Sequence, residues 1–278
     1  MTLKDLHNKV SALPDTLPMP VLFVGHGTPM NAIEKNEFTI AWKNVNTSIP
    51  KPLAIVCVSA HWETRGTYVT IEENPKTIHD FYGFPKELYK QEYPASGNPQ
   101  LAQSIIDNIK NPIIESSHEW GLDHGTWSVL KHIYPEANIP TIQISIDRYK
   151  DARWHYELGK ELSFLRTKGV LVVGSGNMVH NLRMVRVEDD DFNAEYGYDW
   201  AFELNTIFKD KILSNDASSL VTYQNLHKNA NLAIPTPEHY IPLLYTMGMR
   251  KEDERITVFN DKVIAGSLSM TSVIIGNN

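Results

Sequence analysis

Histidine is the conspicuous chemical resource of this chain, with 11 in 278 residues. Four of them recur in settings that bring side chains to one place. His26 lies in VLFVGHGTPMNA, straight after an apolar run and between Gly25 and Gly27, which allow a sharp turn and close backbone approach. His61 follows the apolar run PLAIVCVSA in the same way, and His180 comes shortly after VLVVGSG. His239 sits in TPEHYIPLLY, where Pro242 can occupy only the first turn of a helix. A helix is therefore predicted to begin near residues 238–241, with His239 at its N-terminal end beside a loop. Glu238 is its immediate rival, and because neighbours at a helix start diverge, only one of the two should reach a shared ligand. Imidazole nitrogens are the commonest protein donors to divalent transition metals. One metal held by histidines from four distant segments is the chemistry this pattern points to, although His26 alone could cap a turn and His61 could be placed by chance.

A fifth segment, HEWGLDHGTWSVLKHIYP, carries His118, Asp123, His124 and His132. His124 precedes a predicted helix over residues 126–134, and His132 on that helix reads as structural. His7, His155 and His227 have no partner signal, and neither does His79 in its loop. The glycines at 174 and 176 resemble a phosphate cradle, but there is no GxGxxG and no lysine of a phosphate loop.

The elements that must position these residues alternate between strand and helix. Short, continuous apolar runs at residues 21–24, 53–59, 68–71, 139–146 and 170–173 predict strands buried on both faces. Helical spacing appears at 98–110, 151–168 and 190–213, the second opening on an acidic cap. The tail over 255–275 predicts a terminal hairpin turning near Asn260 and Asp261. Residues 77–99 form a long Pro-rich loop, whose aromatics over 81–93 could cover a substrate or simply pack. The pattern predicts an α/β fold, a layered mixed sheet flanked by helices, with residues 1–278 as a single catalytic domain. Ligand sites in such sheets lie beyond the carboxyl ends of strands, which is where His26 and His61 are expected.

Bulk properties exclude several classes. At 42% hydrophobic and 21% charged the chain has globular rather than disordered composition. Its net charge of −7 and lack of a basic stripe argue against a nucleic-acid partner. No apolar run is long enough to span a bilayer, and the first 15 residues lack the apolar segment of a secretory signal. The lone Cys57 excludes an intramolecular disulfide framework and suits a cytoplasmic location. Oligomeric state is not set by the sequence.

Taken together, GHGTPMNA, SAHWE, GLDHGTW, GSGNMVHNL and TPEHYIPLLY, in that order and across nearly the whole chain, resemble the class III extradiol ring-cleavage dioxygenases, in particular the 4,5-DOPA dioxygenase extradiol-like branch. The resemblance implies a mononuclear metal enzyme that opens a catechol-type, DOPA-like ring with O2. It implies His26 and His61 as metal ligands and His239 as the third, where other members have a carboxylate. It further implies His180 as acid/base and potential fourth ligand, and His124 as a proton donor. An all-imidazole set makes Zn2+ the metal expected on isolation and Fe2+ the metal expected to support dioxygenase activity. A zinc-dependent hydrolase, or a non-catalytic binding protein on the same scaffold, are the alternatives.

Overall fold

A computed structural model of the chain describes residues 15–188 and 191–277. His7 and nearly all of the N-terminal stretch read above lie outside the described residues, as does the first residue of the helix predicted over 190–213. The strands in chain order are β1 (Val21–Gly25), β2 (Ala54–Thr64), β3 (Thr67–Thr70), β4 (Ile114–Ser117), β5 (Thr141–Asp147), β6 (Val170–Gly176), β7 (Ile256–Phe259), β8 (Val263–Ile264), β9 (Leu268–Ser269) and β10 (Ser272–Ile275). Eight of them form one sheet in the order β4-β3-β5-β2-β6-β1-β10-β7, while β8 and β9 pair separately as a ribbon. The central four, β5-β2-β6-β1, are mutually parallel. The sheet turns antiparallel where β3 meets β5 and where β10 meets β1 and β7. It is therefore mixed and flanked by helices, as the alternation of elements predicts.

Continuous apolarity in the central strands has a direct cause. In β1, Val21 and Phe23 enter one core while Leu22 and Val24 enter the other, and both cores are sealed from water. The first core is closed by α2 (Pro99–Asn108), α4 (Ala152–Glu161), α5 (Asp199–Leu213) and α6 (Ile241–Gly248). The second is closed by α1 (Glu37–Ser48) through Phe38, Trp42 and Val45, and by α3 (His124–Ile133) through Trp127, Leu130 and Ile133.

Several boundaries differ from the sequence reading. β2 does not stop at Ser59; it runs to Thr64, and between Val58 and Glu63 it takes five residue steps while β5 takes two, from Ile144 to Ile146. His61 thus emerges from a bulge, a device that re-aims a side chain, rather than from a strand end. The helix predicted from 190 starts at Asp199, because the preceding backbone is committed elsewhere: Tyr196 N–H donates to Val263 and Tyr198 N–H to Gly266. The tail does pair, β7 with β10, but the chain leaves Asn260 (φ 53°) into the β8–β9 ribbon rather than closing a tight hairpin. The predicted 151–168 helix is α4 followed by a tighter 3-10 segment, Leu162–Lys168.

Candidate metal centre

Sheet register sets the first two histidines side by side. Gly25 of β1 pairs with Gly176 of β6, and Ser59 of β2 pairs with Ser175, so His26 just past the end of β1 and His61 in the bulge of β2 sit at adjoining levels of the same parallel set. Gly27 turns the chain at φ 67°, a left-handed conformation that a side chain disfavours. His239 comes from the turn just before α6, and its carbonyl accepts from Asn177 N–H at 2.8 Å. A Cβ on Gly176 would lie 2.1 Å from that carbonyl oxygen, so the approach requires glycine. His180 follows β6 in extended backbone, bridged to Leu268. His124 is the first residue of α3, whose cap is the buried Asp123 accepting from Thr126 N–H.

The rings of His26, His61 and His239 lie 5.0–5.3 Å apart, centroid to centroid. His124 joins them, 3.9 Å from His61 and 5.8 Å from His26. His180 stacks on His239 at 3.5 Å with planes 10° apart. Proximity alone therefore gathers all five and does not rank them. The donor atoms fall into two groups, His26–His61–His124 and His180–Glu238–His239, each within 4.8 Å of one another. Parallel stacked rings aim their in-plane lone pairs alongside each other rather than at a shared point, which favours His180 as a neighbour of the centre over a ligand in it.

Hydrogen bonds on the outer nitrogens fix what the inner ones present. Ser175 donates its hydroxyl proton to the Gly125 carbonyl at 2.5 Å, so its oxygen accepts from His26 Nδ1 at 2.9 Å. His239 Nδ1 donates to Glu238 Oε1 at 3.0 Å. His124 Nδ1 donates to Asp80 Oδ2 at 2.9 Å, and His61 Nδ1 faces the same oxygen at 3.4 Å. The Nε2 atoms of His26, His124 and His239 are thereby left as acceptors, and His61 Nε2 comes within 3.2 Å of His26 Nε2, close enough to donate to it. When His61 carries its proton on Nδ1, towards Asp80, the two Nε2 lone pairs face each other and a cation between them would satisfy both. The spacing also matches the roughly 3.3 Å between two nitrogens bound tetrahedrally to an ion at about 2.0–2.1 Å. The donor set fits a divalent metal.

Protonation does not supply that cation. Burial first, and then the neighbouring imidazoles, hold His26, His61 and His239 well below the ordinary histidine range, with Asp80 partly offsetting this at His61. Burial pushes His180 down to about 4. Neutral imidazoles are the form that binds metal.

Two acidic residues take roles the sequence did not assign. Glu238, read as a rival ligand, braces His239 from outside. Asp80 was not singled out at all. It accepts from His124 twice, through Nδ1 and through the backbone N–H at 2.9 Å, and faces His61 as well. Burial works against its charge, but the hydrogen bond and proximity of His124, together with His61, hold its carboxyl below the usual range. The only signal was the HD pair at the start of the aromatic stretch DFYGF.

The five histidines share a cavity of about 560 Å3 with Glu34, Asp80 and an apolar wall that includes Phe81, Phe84, Val185, Phe192 and Leu268. The aromatic loop divides its labour: Phe81, Tyr82 and Phe84 line the cavity, whereas Tyr93 is buried and bonds the Tyr134 carbonyl. His79 pins this loop by donating to the Gln91 carbonyl. His132 is structural, donating to Asn31 O while Asn31 donates to His26 O. His118, His155 and His227 bond Glu72, Tyr245 and Glu203 respectively and do not line the cavity. The Gly174–Gly176 stretch is simply the end of β6. Among the described residues no helix is long and apolar enough to cross a membrane.

Comparison with known proteins meets this geometry from the other side. Residues 19–273 match the family described as the catalytic LigB subunit of aromatic ring-opening dioxygenase. A protein of Escherichia coli K12 named 4,5-DOPA dioxygenase extradiol is 47% identical over 262 residues, covering 93% of this chain and 95% of the relative. One of the same name from Beta vulgaris is 34% identical, covering 90% and 94%. The crystal structure of an uncharacterised protein from E. coli K12 superposes with a TM-score of 0.80 at 42% identity, covering 93% of this chain and all (100%) of that one.

Proposed function

The chain belongs to the LigB family of metal-dependent aromatic ring-opening dioxygenases, and from that premise we propose that it is an extradiol enzyme for a DOPA-like catechol, acting as one catalytic domain over residues 1–278. The observation that carries this reading is the convergence of bare imidazole nitrogens at the floor of a cavity with ring-sized apolar walls. His26, His61 and His239 hold the metal. Fe2+ bound there supplies the electron chemistry that O2 requires, whereas Zn2+ has no redox chemistry and is the form expected to be retained on isolation.

The chain's own residues then handle protons and position. Phe81, edge-on to His124 with centroids 5.6 Å apart, and Phe84 clamp the aromatic ring and exclude water. His180, neutral at ordinary pH, takes a proton from the catechol as it docks. His124 returns one as the ring opens, with the Asp80 carboxylate supporting positive charge on its ring while it carries that proton. Both atoms of O2 end in the ring-opened product, and the bond broken lies beside the two hydroxyls rather than between them.

Anaerobic loading with Fe2+ or Zn2+, followed by oxygen uptake with a 4-alkylcatechol and labelled O2, tests this reading. Uptake matched to catechol consumption in the iron-loaded protein, with both labels in the product, is the expected result. Equal uptake by the zinc-loaded protein contradicts it.

A further inference from the structure

Among the described residues the ionisable groups lining the cavity are the imidazoles, Asp80 and Glu34, with no lysine or arginine. The two carboxylates differ. Asp80 faces two imidazoles, whereas Glu34 has no basic partner among the described residues. Glu34 is half-buried, and its backbone N–H is tied to the Met30 carbonyl at 3.0 Å. Asn193 donates to its Oε2 at 3.1 Å, and Asn193 is itself held by Asp191. The carboxylate is thus held from two chain segments, and Oε1 has no hydrogen-bond partner among the described residues. Phe192, next in the chain to Asn193, lines the same cavity with Tyr82, Phe81 and Phe84, offering faces that attract cations. A positioned carboxylate with no countercharge, in an aromatic setting, is complementary to an ammonium group and hostile to a second carboxylate.

We propose that Glu34 is a specificity-determining residue that selects a catechol whose short side chain carries a protonated amine. This deepens the ring-cleavage reading and rests on it. The substrate class that follows is an aminoalkyl catechol, with any side-chain carboxylate tolerated rather than recruited.

Three probes of similar size separate the effects: 4-(2-aminoethyl)catechol, the uncharged 4-ethylcatechol, and 3-(3,4-dihydroxyphenyl)propionate. The iron-loaded protein should favour the amine over the ethyl analogue in kcat/KM by about tenfold or more, the usual scale of a charge-assisted contact in a partly buried site. Glu34→Gln keeps the shape and the Asn193 contact; in it that ratio should collapse towards unity, while the ratio of propionate to ethyl analogue rises. A wild-type ratio near unity, or one that Glu34→Gln leaves in place, overturns the proposal. If none of the three is cleaved, the ring-cleavage reading has failed. Anaerobic calorimetry of the same probes on zinc-loaded protein then decides the Glu34 proposal separately. Amine binding that weakens about tenfold in Glu34→Gln supports it, and binding indifferent to the substitution overturns it.

Discussion

Two buried polar clusters cap opposite ends of the same parallel strands, and they are built on opposite principles. At the amino ends, Arg166 lies just before β6 and donates through Nε to Met19 O at 2.7 Å and through Nη1 to Met249 O at 2.7 Å. Its guanidinium also grips both carboxylate oxygens of Glu254. Opposite charges meet there and the donors find acceptors within the protein. At the carboxyl ends, like meets like: imidazoles crowd one another and turn bare nitrogens inward. Burial does not distinguish the two clusters. What distinguishes them is that one is complete without a guest, and the other becomes favourable only around a cation.

The sharpest test of this contrast is His61→Ala. It should abolish metal retention and reduce turnover below detection, while the metal-free protein shifts in stability by no more than about 1 kcal/mol, because only a single contact between neutral imidazoles is lost. Metal analysis and denaturant titration check both parts, and a metal-free protein that unfolds in this variant would make the imidazole cluster structural after all.

His124→Ala comes next. Its kcat should fall by about 10²–10⁴-fold, the worth of a positioned proton donor, with metal content near normal. Metal lost on this substitution but kept in His239→Ala would move His124 into the ligand set and His239 out of it.

At the other end, Arg166→Met should cost about 3–5 kcal/mol, since Glu254 is left buried without its partner. Metal content and turnover per folded molecule should not change. The double variant Arg166→Met/Glu254→Leu should recover most of that loss in a guanidinium titration.

The smallest expected effect is in acid. Burial works against the Glu254 charge, but the hydrogen bonds from Arg166 and the Lys251 N–H, with their charges, hold its carboxyl below the ordinary range. A depressed carboxyl contributes stability that is present above its unfolded value, about 4.3, and is lost as pH falls through the lower folded value. The wild-type protein should therefore lose stability below that point by an increment that the double variant does not lose.

What the sequence revealed follows from where its information is local. β1 and β6 open on continuous apolar runs, Val21–Val24 and Val170–Val173, in strands whose every residue is buried, and a pattern of that kind has few other readings. The histidines beyond them were legible for the same reason. α1 went unread although Phe38, Trp42 and Val45 mark one face, because its exposed face mixes Ile40 among polar residues and blurs the stripe. β4 buries only Ile114 and carries no alternation to see. The bulge that turns His61 and the carboxylate of Asp80 are tertiary facts. The first depends on β5 passing alongside, and the second on a loop folding back 44 residues to reach His124.

That loop carries a constraint on how the protein can change. Phe81, Tyr82 and Phe84 line the cavity, and the residue before them, Asp80, faces two of its imidazoles. A lineage, or an engineer, seeking a new substrate by exchanging this wall must carry the aspartate along in register. Point changes at the three aromatic positions would alter the cavity wall and leave the aspartate in place, whereas an insertion or deletion between them and Asp80 would pull it off the imidazoles.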